Sequence, residues 1–223
     1  MCTSRFGRLA VLALVAALVL PPPLHAQGKW SASLFGGAGL PMGDFGDDAG
    51  EEAGLANPGF VLGSELAMSI RSVPGLDWLS TLQGVAFGVD ESFLEELLPG
   101  AQVDLGRYLG AMALTGLRLR VGEAGTRIHL AGQLLVGVMR APSGTFSGAG
   151  ERVELESGWE PAKGLSGGVG AAFGERITVE GRYVHLINPE VSAELTSQGV
   201  VLEEFQGGQP MSWIQVVLAV RVW

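Results

Sequence analysis

The last thirteen residues, Met211–Trp223 (MSWIQVVLAVRVW), constrain the fold more than any other stretch. Ile214, Val216, Leu218, Val220 and Val222 recur at every second position, with Trp213, Gln215, Val217, Ala219 and Arg221 between them. A period of two puts successive side chains on opposite faces of a β-strand. One face of this strand is uniformly apolar, and the other carries an amide, a guanidinium and small residues. That division fits a sheet wall with hydrocarbon on one side and a polar lumen on the other. The chain stops on an aromatic residue, Trp223, one step out of register with the apolar face.

The other end of the chain is consistent with export. Arg5 and Arg8 form a basic segment, Leu9–Leu20 is unbroken apolar sequence, Pro21-Pro22-Pro23 ends it, and Leu24-His25-Ala26 offers a small-residue cleavage site. This is the pattern of a secretory signal peptide, shorter than a membrane helix. Residues 1–26 are therefore expected to be removed, leaving one domain at 27–223. The single cysteine, Cys2, would leave with the signal, so the mature chain owes nothing to disulfides. No other apolar run approaches the roughly 18 residues of a membrane helix, so any membrane crossing must be made by strands closed into a barrel. The 35 glycines suit strands and barrel corners and would weaken helices.

Eight segments read as strands of about 9–11 residues, the length that crosses an outer membrane at a tilt. They are Trp30–Leu40, Gly59–Ser72, Trp78–Val89, Tyr108–Val121, Arg127–Met139, Gly164–Phe173, Ile177–Leu186 and the terminal strand. In the second, Phe60, Leu62, Leu66, Met68 and Ile70 oppose Glu65, Ser69 and Arg71. In the fourth, Leu117, Leu119 and Val121 oppose Arg118 and Arg120. In the fifth, Ile128, Leu130, Leu134, Val136 and Val138 oppose His129 and Gln133. In the seventh, Ile177, Val179 and Tyr183 oppose Thr178, Glu180 and Arg182. The third segment reads either way. Connections alternate in length: 72–77, 122–126 and 174–176 are short, whereas 41–58, 90–107, 140–163 and 187–210 are long. Short turns on one rim and long loops on the other predict an all-β, antiparallel up-and-down barrel.

Signal peptide, eight alternating segments, alternating connections and an aromatic end together resemble the small bacterial outer-membrane β-barrel proteins, the eight-stranded OmpA/OmpX/OmpW-like and porin-like barrels. The stretch Leu34–Phe45 (LFGGAGLPMGDF) is also similar to the opening strand and first loop of that family's short barrels. The resemblance implies an outer membrane of Gram-negative type, insertion by the barrel-assembly machinery, and lipid and lipopolysaccharide as the surroundings of the wall.

The expected lumen carries Glu65, Arg71, Arg118, Arg120, His129, Gln133, Glu180, Arg182, Gln215 and Arg221. An eight-stranded barrel is wide enough only for its own side chains or one small ligand, and buried charges must pair. A polar network filling the barrel is thus expected, with Glu65 and Glu180 each paired to an arginine. The arginines outnumber these acids, so further acids or water must reach them. Trp30, Trp78, Phe173 and Trp223 share the short-turn rim as an interfacial aromatic girdle.

Acids crowd the four long connections, Glu154, Glu156, Glu194, Glu203 and Glu204 among them, against few bases such as Arg140, Arg152 and Lys163. Such a face repels nucleic acid and attracts cations. Asp44, Asp47, Asp48, Glu51 and Glu52 supply hard oxygen donors suited to a divalent cation, without the spacing of an EF-hand. No cofactor-binding fingerprint is present. Catalysis would need a base beside a nucleophile. His25 leaves with the signal peptide, His129 is assigned to the lumen, and His185 lies on the lipid face with Ile187 two residues on, where a hydroxyl would be needed. The expectation is a non-catalytic barrel with a filled lumen and acidic outer loops, structural or surface-interacting in role and with its extracellular partner open. The alternatives are a narrow porin-like channel and a secreted lipocalin-like binder, and a lipid-modifying hydrolase is the remaining enzymatic possibility.

Overall fold

The computed structural model describes residues 29–47, 54–97, 100–122, 126–148, 151–187, 189–197, 200–208 and 210–223. The signal-peptide expectation (1–26) and Asp48, Glu51 and Glu52 of the expected cation loop lie outside the described residues. Eight long strands form the wall: β1 (Trp30–Met42), β2 (Ala56–Ser69), β3 (Leu76–Val89), β5 (Tyr108–Val121), β6 (Thr126–Arg140), β9 (Trp159–Phe173), β10 (Ile177–Leu186) and β13 (Met211–Arg221). They close into one barrel in the order β1-β13-β10-β9-β6-β5-β3-β2, every neighbouring pair antiparallel. The terminal strand closes the circle on the first, and Ala32 N–H donates to the Trp223 carbonyl at 2.8 Å. Closure removes the sheet edges that hydrocarbon would not tolerate.

The alternation read from the sequence sets the two faces. Leu34, Leu62, Leu117, Leu130, Leu134, Val169, Val216 and Leu218 are exposed on the outer wall, while Phe35, Val61, Leu114, Trp213, Gln215 and Val217 are buried within. A continuous apolar outer surface of this kind is the mark of a membrane-facing wall, and the fold is an eight-stranded transmembrane β-barrel. No helix among the described residues is long and apolar enough to cross a membrane. The ambiguous third segment is settled by pairing. Trp78 opposes exposed Leu117 and Asp77 opposes Arg118, so odd-numbered residues of β3 face the lumen.

One expectation about the second segment is corrected. Arg71 is not in the lumen: β2 ends at Ser69, and Arg71 is exposed in the following turn. That turn is fixed by Val73 N–H donating to Ile70 O (3.2 Å) and by Gly75 at φ +81°, a conformation that favours glycine. Met68 keeps its outward parity but is only 4 % exposed. It lies in register between Trp30 and Trp78, so two girdle indoles share its face and shield it.

The long connections are not loops alone. They hold the 3₁₀ turn Gly43–Phe45, helix α1 (Glu91–Leu97), and strands β4 (Gln102–Leu105), β7 (Gly144–Gly148), β8 (Glu151–Ser157), β11 (Glu190–Ser197) and β12 (Val200–Gly208). The five strands form a second sheet, β12-β11-β8-β7-β4, at the long-connection rim. At the start of α1, Asp90 Oδ1 accepts from Ser92 N–H at 3.1 Å, satisfying an otherwise unpaired helix-end donor. The Ser92 hydroxyl also bonds this carboxyl and holds it below its ordinary range.

Candidate functional site

Inside the short-turn half of the barrel, charged side chains form a single alternating string. Asp77 accepts from Arg120 Nη2 (2.7 Å) and Arg118 Nε (3.3 Å). Arg118 Nη1 reaches Glu65 Oε1 at 2.7 Å, and Glu65 Oε2 accepts from Arg182 Nη2 at 2.9 Å. Arg182 Nε donates to Glu180 Oε1, and Glu180 Oε2 lies 2.9 Å from His129 Nε2. Three guanidinium groups thus meet three carboxylates, with His129 at the end. The balance matters because an unpaired buried charge is costly; every charge here has an opposite neighbour, while Arg182 Nη1 and Arg120 Nε are buried without a hydrogen-bond partner. Arg182, 2 % exposed, also sits 5.0 Å from the Phe35 ring centroid.

The sequence supplies room for this string with glycines. A Cβ on Gly168 would lie 2.6 Å from Glu180 Oε1, and one on Gly170 would lie 2.5 Å from His129 Cε1. On β9, opposite the charged stretch of β10, only residues without a side chain fit.

Among the expected lumen residues, Glu65, Arg118, His129, Gln133, Glu180, Arg182 and Gln215 are buried together. Arg120 is half-buried. Arg221 is a correction: it is exposed at the short-turn mouth, since β13 ends there, and lines an open vestibule of about 70 Å³ with Arg120, Arg127 and Glu175. The acid that sequence reasoning missed is Asp77, 1 % exposed. It was assigned to the end of a turn, yet β3 begins at Leu76 and its parity carries Asp77 inward. The signal was present in the charge balance: more inward arginines than glutamates implied another acid.

Above the charges lies an amide layer. Gln133 Nε2 donates to Thr81 Oγ1 (2.9 Å), Gln215 Nε2 to Gln83 Oε1 (3.3 Å), and Trp213 Nε1 to Gln215 Oε1 (3.2 Å). The long-connection half of the lumen is then apolar, whereas the expected filling was a polar network. Leu114, Leu135, Val184, Leu186, Met112 and Met139 fill it. Phe45 caps it, packed edge-on against Phe87 (centroids 5.3 Å apart) and Tyr108 (5.1 Å), with Trp213 at 6.5 Å. Phe45 arrives from the first long connection. Gly43, at φ +58°, turns the chain inward, and Gly54 N–H donates to Asp44 O at 2.6 Å to hold the turn.

Of the expected girdle residues, Trp30 and Phe173 are exposed on the outward face at the short-turn rim, Trp78 shares that face, and Trp223 is exposed beyond the end of β13, out of register with it. Asp44 and Asp47 lie at the opposite rim, and no group of three or more candidate ligands among the described residues could hold a metal ion. On the second sheet, Glu156, Glu194 and Glu204 stand in direct cross-strand register and line a surface hollow of about 440 Å³ with Ser157 and Ser192.

His185 has a hydroxyl partner that the sequence reading did not place. It lies across the sheet: Ser212 on β13 opposes His185, and its Oγ is 2.8 Å from His185 Nδ1. Tyr183 O–H donates to the same Oγ at 3.1 Å, and the Tyr183 and His185 rings are stacked, 7° from parallel. A search two residues along one strand cannot find a partner on its neighbour.

No family profile and no curated protein matches the chain. Among solved structures it is similar to Neisserial surface protein A (10% identity, TM-score 0.44, covering 86% of this chain and 96% of that one). It is also similar to Ail, the attachment invasion locus protein of Yersinia pestis (13%, TM-score 0.40, 87% and 98%). A third neighbour is the outer membrane protein AlkL in DMPC lipid bilayers (14%, TM-score 0.41, 91% and 93%). At these identities the likeness concerns the fold.

Proposed function

We propose that this chain is an outer-membrane barrel that conducts nothing and acts at the cell surface, holding an acidic β-sheet above the membrane. The observation that carries the reading is the double closure of the lumen, a paired charge string below and an aromatic and aliphatic plug above. The short-turn rim with its girdle is the periplasmic side, and the second sheet faces outward. Lipid and lipopolysaccharide surround the wall, and the barrel-assembly machinery inserts it. The sheet's carboxylates, with Glu156, Glu194 and Glu204 in line, suit a cationic partner, because like charges directly opposed on a sheet destabilise it until countered. Conductance in planar bilayers tests the closure: the reconstituted protein gives no stable single-channel steps. Regular steps would replace this reading with the narrow porin-like channel. A barrel that stays soluble without detergent would favour the secreted binder instead.

A further inference from the structure

The outer wall carries one polar constellation that neither the lumen nor the acidic sheet explains. Ser212, His185 and Tyr183 lie together on the lipid-facing side, with exposed Leu165 opposite His185 and exposed Ile214 opposite Tyr183. Ser212 Oγ accepts from the Tyr183 hydroxyl at 3.1 Å and lies 2.8 Å from His185 Nδ1. In the tautomer with the ring proton on Nε2, Nδ1 accepts the Ser212 proton. A serine hydroxyl donating to an imidazole nitrogen is the arrangement of a nucleophile with its general base.

Its height selects the substrate. Ten residue steps lead from Ser212 to Val222 at the short-turn rim. At about 3.3 Å per residue and a tilt of about 40°, this is a rise of about 25 Å, the height of the apolar band of such barrels. Ser212 therefore stands where hydrocarbon gives way to headgroups in the outer leaflet, which is where the ester carbonyls of membrane lipids lie. Lys163, exposed on the same face, presents a cation to an anionic headgroup.

We infer that Ser212 and His185 form a dyad that cleaves acyl esters of outer-leaflet lipids. Ser212 Oγ bonds to the acyl carbon as its proton passes to His185 Nδ1, and the carbonyl electron pair moves onto oxygen. When the C=O re-forms, the bond to the lipid alkoxide breaks and the alkoxide takes the proton from His185. Water, deprotonated by His185, then releases the fatty acid and restores the Ser212 hydroxyl. No carboxylate bonds the imidazole among the described residues, so turnover is slow beside that of a full triad.

The test uses the full barrel, folded by heat-modifiable migration, in two kinds of vesicle: diacyl phospholipid, and phospholipid with lipopolysaccharide. A fluorophosphonate probe should label Ser212, located by mass spectrometry. Ser212→Ala and His185→Ala should lose the label, and added imidazole should restore it to His185→Ala. Fatty acid should appear in one vesicle type at least tenfold faster than with Ser212→Ala, and which type responds identifies the ester's source. A folded barrel that is unlabelled at Ser212, or labelled without releasing acid from either lipid, would overturn the inference, as would labelling in His185→Ala without imidazole.

Discussion

The two halves of the barrel interior solve the same filling problem by opposite means. The short-turn half is filled by charged and polar side chains, Arg120–Asp77–Arg118–Glu65–Arg182–Glu180–His129 in sequence. The outer half is filled by Phe45, Phe87, Trp213 and the aliphatic residues beneath them. The difference lies in what each half tolerates. A hydrocarbon plug loses energy roughly in proportion to the volume removed and relaxes in part. An ion string is weakened most where a deeply buried member is removed, because its partner keeps its charge and loses its solvation. The amide layer of Gln83, Gln133 and Gln215 lies between the two halves.

The largest effect should come from breaking the string. Glu180→Gln leaves Arg182 buried with only Glu65 as an ionised partner, and a loss of about 3–5 kcal/mol is expected for an uncompensated buried charge. Urea unfolding in lipid vesicles measures it. A loss near zero would mean that water reaches Arg182 and that this half is solvated rather than packed. In the outer half, Leu114→Ala removes a fully buried side chain and should cost about 2–4 kcal/mol through lost transfer energy and the cavity left behind. Combined with Glu180→Gln it should be close to additive, since the two residues share no partner. Strong coupling in that double mutant would break the division into two layers.

The halves also differ in how far the sequence disclosed them. Charged residues at inward parity are conspicuous against apolar outward ones, so Glu65, Arg118, Glu180 and Arg182 could be assigned from alternation alone. Where both faces are apolar, as at Val61 beside Leu62 or Val217 beside Leu218, parity gives no contrast and the plug cannot be told from the wall. That is also why β3 could be read either way. Phe45 was hidden for another reason, being a residue of a long connection that the chain folds back into the mouth. The second sheet was legible in part. Arg152, Glu154 and Glu156 alternate with Val153 and Leu155, the period of a strand, but the acid content of the segment suggested a solvated loop. The Ser212–His185 pair needed the β10–β13 register, which no single strand contains.

The outer face of β13 offers a test of parity independent of either filling. Leu218 is exposed on the wall and its neighbour Ala219 faces the lumen side. Leu218→Arg should cost about 2–4 kcal/mol, the depth-dependent penalty for an arginine in the hydrocarbon band. Ala219→Arg should instead place its charge toward the vestibule at the short-turn mouth and assemble in good yield. Reversed yields in heat-modifiable migration would invert the facing of the strand and with it the assignment of Gln215 and Trp213 to the interior.

The smallest effect sharpens the boundary of the charged half. Arg118 and Arg120 both bind Asp77, but their side chains are 11% and 25% exposed. Arg118 also holds Glu65, whereas Arg120 has Asp77 as its ionic partner and Ser69 Oγ at 3.3 Å. Removing Arg120 leaves Asp77 bonded to both Arg118 and Ser69, and the freed space opens onto the vestibule. Arg120→Met should therefore cost only about 1 kcal/mol, the net worth of a partly solvated charged hydrogen bond. Arg118→Met strips a partner from two buried carboxylates at once and should cost several times as much. Raising the salt concentration should shrink the Arg120 effect and leave the Arg118 effect nearly unchanged, because mobile ions screen groups that water reaches and not those that it does not. Equal costs and equal salt responses would place the solvent boundary of the short-turn half deeper in the barrel, past Arg118, and leave Glu65–Arg182–Glu180 as the sealed part of the string.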